Sequence, residues 1–391
     1  MKFIELLRLA KPLNKIQKVA LSEFSKSLEK EDINEIKGLL KQKKASVCES
    51  SLNTSKELFQ AENFYTLNSD TTNEKITKYI EKLNSQIFES HKKRLMKKFA
   101  DSAMEKIPRF VGRDIEGFDI IKKAVTLQLF AAERIHILLL GDPGTGKTDI
   151  LRTVSELHPI SSFGLGSGST GAGLTITAKG KEISKGLLPM ANGGICAIDE
   201  LNLMEQKERG SLYNAMEKGF VTYDKGGKHY KFDAEVRVLA TANPKGDKFT
   251  AKTIEGLKKQ LPFDPALLSR FHLVFLIRKP SIEEFLKITD KILKNKKKIE
   301  SKGDNEFIKD YISLAEQIEV SVPAKFEKQI KDFVEKIKRD EDKYLIEVSP
   351  RLVLGFIRMA KASARAKFKD KVEQEDIDLV IEIVNESLKT E

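Results

Sequence analysis

The run Gly141-Asp142-Pro143-Gly144-Thr145-Gly146-Lys147-Thr148 fits the spacing G-x-x-x-x-G-K-[ST] in full. Its residue types suit a triphosphate. Glycines let the backbone fold so that several N–H groups converge on one anion. Lys147 supplies a point charge for the β- and γ-phosphates, and the Thr148 hydroxyl can ligate Mg²⁺. A second constellation follows: Asp199-Glu200 closes the apolar run Ile195-Cys196-Ala197-Ile198. Asp199 is suited to hold the metal through water, and Glu200 to polarise an attacking water as general base. Ala240-Thr241-Ala242-Asn243-Pro244 then ends a third apolar run, where Asn243 can orient that water from the other side. Finally, Leu267-Leu268-Ser269-Arg270-Phe271 sets an arginine beside apolar residues, and no nearby acidic partner is expected for it. Together these residues point to hydrolysis of ATP with Mg²⁺.

The elements that must position them are also legible. Ile137-Leu138-Leu139-Leu140 precedes the phosphate loop and residues 149–157 follow it with a helical pattern, whose positive dipole end would face the same anion. Short apolar runs of this kind, including Val236-Arg237-Val238-Leu239-Ala240, alternate with helical patterns across residues 106–280. That alternation predicts an α/β layer around a parallel sheet. Residues 281–391 lose the strands and predict a helical lid, with breaks near Lys302-Gly303 and Ser349-Pro350. Residues 1–105 predict a mostly helical extension, with apolar spacing at Phe3, Leu6 and Leu7 and again at Ile76, Ile80, Leu83 and Ile87. The Ser-, Thr- and Asn-rich residues 41–73 are expected as loop, and the Ser/Gly stretch 161–169 as a flexible connection.

Two hairpins are expected inside the α/β region. Phe220-Val221-Thr222-Tyr223 and His229-Tyr230-Lys231-Phe232 flank a Gly-Gly turn with Lys225 and Lys228 at its tip. Residues 174–185 form the second, with Lys179 and Lys181 at the turn. Basic tips suit contacts with a phosphate backbone that carry no base readout.

Composition narrows the rest. The chain has 391 residues, 40% hydrophobic and 32% charged, with a net charge of +11. Residues 1–109 carry 22 basic and 15 acidic side chains, and so supply +7 of that total; the run from His91 to Lys98 is their most basic piece. The balance favours polyanionic partners. No apolar run reaches the length of a membrane span, and MKFIELLRLAKPLNK has no small-residue cleavage site, so neither a membrane protein nor a secretory leader is expected. Two cysteines, Cys48 and Cys196, fit a reducing cytoplasmic setting. The five histidines fall singly, so no catalytic metal other than Mg²⁺ is expected. With no Trp and 7% aromatics, no stacking platform for single strands is advertised.

The order of phosphate loop, Asp-Glu strand, Asn strand, Ser-Arg-Phe and a helical region opened by Ser349-Pro350-Arg351 resembles the AAA+ ATPases. Closer detail resembles the MCM (minichromosome maintenance) replicative helicases over residues 106–388. The matching pieces are Gln128-Leu129-Phe130, Gly168 to Leu174 (GSTGAGL), Asn214-Ala215-Met216-Glu217, Leu267 to Phe275 (LLSRFHLVF) and Arg358-Met359-Ala360-Lys361, with residues 307–334 like the helix pair before Arg351. The resemblance implies that Arg270 is an arginine finger and Arg351 a second sensor, each acting on an adjacent subunit, and hence a homo-oligomeric ring, by expectation a hexamer. It also makes Asn243 the polar sensor and Lys225 a pore lysine, with Lys179 and Lys181 on the family's helix-2 insertion. The implied activity is that of an ATP-dependent DNA translocase or helicase. Departures are present: Gly146-Lys147-Thr148 where the family reads Ala-Lys-Ser, Leu201-Asn202 in place of Phe-Asp, and His272 in place of Asp. Residues 1–105 predict neither the family's OB barrel nor its zinc module, and no winged-helix tail is expected. Two alternatives stay open: a MoxR- or chelatase-like remodeller of a protein partner, and an ATP-switched adaptor whose N-terminal helices bind a replication protein.

Overall fold

A computed structural model describes residues 29–389 apart from 53, 56–57, 59–62, 168–170, 180–181, 226–227, 247, 252, 280–281, 284–285, 287–288, 291–292 and 294–301. The expected helical spacing at Phe3, Leu6 and Leu7 lies outside these residues, as does Lys181. The chain divides into two compact units, residues 1–101 with 301–304, and residues 102–300 with 305–391. No described helix is long and apolar enough to cross a membrane.

The first unit contains α1 (Lys30–Lys41), β1 (Ala45–Ser51), β2 (Asn63–Ser69) and α2 (Glu74–Phe99). The antiparallel β1–β2 ladder, running from Ala45↔Ser69 to Ser51↔Asn63, corrects the expectation of loop across residues 41–73. It also corrects the absence of strands from the extension. The polar composition hid these strands: among the described side chains, Ala45, Phe64 and Leu67 are the buried hydrophobics of the two. Those residues gain their apolar cover from Ile36, Ile80, Leu83 and Ile87 on the helices. Asn84 of α2 secures the outer side of β2: its Oδ1 accepts from Leu67 N–H at 2.9 Å and its Nδ2 donates to Leu67 O at 2.7 Å. Asn73 caps α2 by accepting from the N–H groups of Lys75 and Ile76.

In the second unit a five-stranded sheet runs in the order β11 (Leu273–Ile277), β3 (Ile137–Gly141), β10 (Arg237–Ala242), β7 (Ile195–Asp199), β4 (Ser161–Leu165). Every neighbouring pair is parallel. β3, β7 and β10 are buried along their whole length, which is why they read as unbroken apolar runs. β4, at the edge, overturns the expectation of a flexible connection there; it alternates too weakly to be read as a strand. Helices α3 (Asp119–Leu129), α4 (Lys147–Leu157), α5 (Arg209–Lys218) and α6 (Ile254–Gln260) accompany the sheet. Gln128 of α3 stitches strand starts together, its Nε2 donating to Ile135 O and Val238 O.

The two expected hairpins are β5 (Ile176–Lys179) with β6 (Glu182–Lys185), and β8 (Phe220–Lys225) with β9 (Lys228–Asp233). The lid carries α7 (Lys302–Ala315), α8 (Glu327–Arg339), α9 (Pro350–Ala366) and α10 (Gln374–Leu388). Lys302-Gly303 begins a helix rather than interrupting one, and Pro350 opens α9 at its first position, where its missing N–H costs nothing. Buried Arg237, at the start of β10, ties sheet to lid by donating to Gly193 O at 2.9 Å and to Glu316 at 3.1 Å. Arg365 of α9 donates to Phe130 O at 2.9 Å.

Candidate active site

All parallel strands end on one rim, and the phosphate loop lies there, between β3 and α4. Gly141 is required by its neighbour strand: a Cβ would lie 2.1 Å from Ile277 O. Gly146 has φ +84° and delivers the chain into α4, whose first residue is Lys147. The Lys147 ammonium is buried and donates to Gly141 O at 2.9 Å, Asp142 O at 2.7 Å and Thr145 Oγ1 at 3.3 Å. Burial pulls its pKa down to about 8, against the opposing charges of Asp142, Asp199 and Glu200. The Asp142 carboxylate pins the loop from outside, accepting from Phe249 N–H at 2.9 Å and Lys279 N–H at 3.3 Å.

β7 and β10 bring the second group of residues to the same rim. The Thr241 hydroxyl donates to Asp199 Oδ1 and accepts from Glu200 N–H at 2.9 Å. One hydroxyl thus fixes both carboxylate-bearing residues. Glu200 itself has left-handed backbone (φ 52°, ψ 46°), a conformation costly for a residue with a side chain and held here by that bond. Asn202 Oδ1 accepts from Asn243 N–H at 2.9 Å and so sets the backbone of the sensor position. Neither Thr241 nor Asn202 figures among the candidates from sequence. The available signal was a hydroxyl inside a buried strand, which must find a partner. The donor set suits Mg²⁺: the Thr148 hydroxyl lies in the first turn after the loop, and Asp199 has one oxygen engaged by Thr241.

Arg270 and Arg351 are elsewhere. Arg270 precedes β11, whose register with β3 runs from Leu273↔Ile137 to Ile277↔Gly141. It therefore lies at the amino-terminal rim, about 13 Å of strand from the phosphate loop at about 3.3 Å per residue. Here the sequence reading is corrected: Arg270 has an acidic partner. Its Nη2 meets Glu217 Oε2 at 3.0 Å, its Nη1 donates to Ala266 O, and its guanidinium lies 4.4 Å from the Tyr213 ring centre. Arg351 Nη1 donates to Ser269 O at 2.6 Å, so the two arginines share one site.

Two buried histidines brace that rim. His272 Nδ1 accepts from His136 N–H at 3.0 Å, while His136 Nδ1 accepts from Val238 N–H and its Nε2 donates to Met216 O. Burial, reinforced by Arg134, Arg351 and Arg358, holds His136 at about 3 and His272 at about 2, so both are neutral. Lys225 and Lys228 form the last pair of the β8–β9 ladder, and Lys179 pairs with Glu182 at the end of β5–β6.

Sequence comparison bears on this arrangement. A family model described as the MCM P-loop domain matches residues 91–296, and one described as the MCM AAA-lid domain matches residues 306–388. The chain is 30% identical over 310 residues to DNA replication licensing factor MCM7 of Arabidopsis thaliana, covering 72% of this chain and 43% of that protein. It is 29% identical over 303 residues to minichromosome maintenance protein MCM of Saccharolobus solfataricus, covering 72% and 44%. It is 32% identical over 310 residues to an uncharacterised MCM-type protein of Methanocaldococcus jannaschii, covering 71% and 44%. The chain thus spans less than half the length of these relatives.

Proposed function

The chain belongs to the MCM family, and from that premise we propose that it hydrolyses ATP at the junctions of a homo-oligomeric, hexameric ring and moves DNA through the ring. The observation that carries this reading is the split of the site between two rims. Lys147, Thr148, Asp199, Glu200 and Asn243 belong to the carboxyl rim, Arg270 and Arg351 to the amino rim. An arginine about 13 Å of strand away cannot reach its own chain's phosphates, but it can serve a neighbour's.

In this account the loop N–H groups from Gly141 to Thr148 and the Lys147 ammonium hold the β- and γ-phosphates. Thr148 and Asp199 hold Mg²⁺, which when bound neutralises charge on the phosphate oxygens. Glu200 takes the proton of the attacking water, Asn243 orients that water, and Thr241 keeps Glu200 and Asp199 in register. A neighbour's Arg270 stabilises the charge on the transferring group, assisted by Arg351. The β8–β9 hairpin runs directly into β10, the strand that ends in Asn243, so a change at the phosphate is passed to the Lys225 and Lys228 tip. Lys179 and Lys181 form a second set of backbone contacts.

The test is ATP turnover with and without DNA, together with particle mass in ATP. A ring with DNA-stimulated turnover is expected. Replacing Lys225 and Lys228 by Ala should abolish the stimulation and leave basal turnover intact. Turnover indifferent to DNA would reject the DNA motor in favour of a remodeller of protein partners.

A further inference from the structure

α2 carries eight Lys or Arg residues and three Glu within 26 residues. Its apolar residues Ile80, Leu83 and Ile87 are buried in the core of the first unit, which fixes the face turned to solvent. On that face Lys75, Lys78, Lys82, Lys93 and Lys97 are all exposed. At 3.6 residues per turn they fall within about 100° of arc, and at 1.5 Å per residue they extend over about 33 Å. Glu89 is the acidic residue inside that arc.

The stripe differs from the ion-paired lysines of the lid. There, several lysines are matched to acids, Lys338 with Glu341, Lys343 with Asp340, Lys369 with Glu373 and Lys389 with Glu386, all three or four residues apart, while Lys328, Lys331 and Lys336 of α8 are exposed with no ion pair among the described residues. None of the five α2 lysines takes part in an ion pair among the described residues. Instead Lys75 and Lys78, Lys78 and Lys82, and Lys93 and Lys97 stand at spacings where like charges repel along a helix. An external polyanion relieves the repulsion. A 33 Å row is about as long as one turn of duplex DNA, so its lysines can meet phosphates where the two backbones cross the side of the duplex facing α2.

We propose that the outward face of α2 is a phosphate-backbone surface for DNA, a contact separate from the hairpins. It rests on the DNA reading above and adds a named element of the first unit to it. Lysines without a planar fork bind phosphate as point charges, so the contact is blind to sequence.

The test is DNA binding by the full chain with all five lysines replaced by Ala, the residue that best preserves a helix. A labelled duplex is titrated across a range of salt. Loss of five phosphate contacts should flatten the slope of log K against log salt by about 4.5, with basal ATP turnover unchanged. Arg at the same five positions should restore the slope. Wild-type binding with an unaltered slope in the Ala variant overturns the stripe alone. A wild-type chain that binds no DNA at low salt overturns both this surface and the proposed motor. Tighter binding of an RNA duplex of the same sequence overturns the assignment to DNA.

Discussion

The two rims of one sheet are assembled on opposite plans. At the carboxyl rim a buried lysine is ringed by backbone carbonyls, the two carboxylate residues are set by a hydroxyl, and Asn243 by a side-chain amide. At the amino rim arginines are held by a carboxylate, a tyrosine face and a carbonyl, over a pair of neutral histidines. Charge of the kind that phosphoryl transfer demands is present at both ends, and under the proposed ring the two ends would act on one phosphate from different chains. The contrast teaches that one strand register can keep two sets of charged residues about 13 Å apart.

The sharpest way to break that contrast is at Arg270. Arg270→Ala should lower turnover by about 10³-fold or more, the scale of an arginine finger, while ATP binding by the same preparation stays within a few-fold. Mixing it with Lys147→Ala subunits should recover part of the activity, since some junctions then pair an intact loop with an intact arginine. A fully active Arg270→Ala protein would mean that the carboxyl rim works unaided.

A smaller effect is expected within the carboxyl rim. Thr241→Val keeps the shape but leaves Glu200 N–H and Asp199 Oδ1 without their shared partner. Turnover should fall about 10- to 100-fold, the range for losing a contact that orients a metal ligand, with little change in KM. Thr241→Ser should restore it. If Val is silent, Asp199 and Glu200 are held by the strand alone.

The smallest effect separates the rims by stability. His136 and His272 have folded pKa values of about 3 and about 2, below the ordinary 6.5. As pH falls below 6.5 the unfolded chain therefore takes up protons that the folded chain refuses. Stability present above pH 6.5 is lost progressively on acidification, by about 2 kcal/mol per histidine between pH 7 and pH 5. His272→Asn should remove about half of that loss in urea denaturation at the two pH values. Equal losses in wild type and variant would show that the histidines do not govern acid sensitivity.

The parts legible in sequence are those where one local pattern suffices. The phosphate loop, the β3 and β7 runs and both hairpins announce themselves through glycine spacing, unbroken apolar strands and turn residues. Pairings across long separations are not written locally. Glu217 lies 53 residues from Arg270 and reaches it only because α5 packs near the start of β11. Thr241 lies 42 residues from Asp199, and nothing in Ala-Thr-Ala-Asn-Pro reveals which strand lies beside it. β1 and β2 were hidden for another reason: half their faces are polar and the connection between them is long, so neither alternation nor a tight turn marks them.

The Asn84 clasp on Leu67 has a consequence for crowded conditions. A two-stranded ladder presents free edges that invite a strand from another molecule. By occupying both backbone groups of Leu67, Asn84 denies an incoming segment its foothold at the middle of β2. The same amide that fastens the hairpin to its helix thereby acts as a guard against runaway self-association.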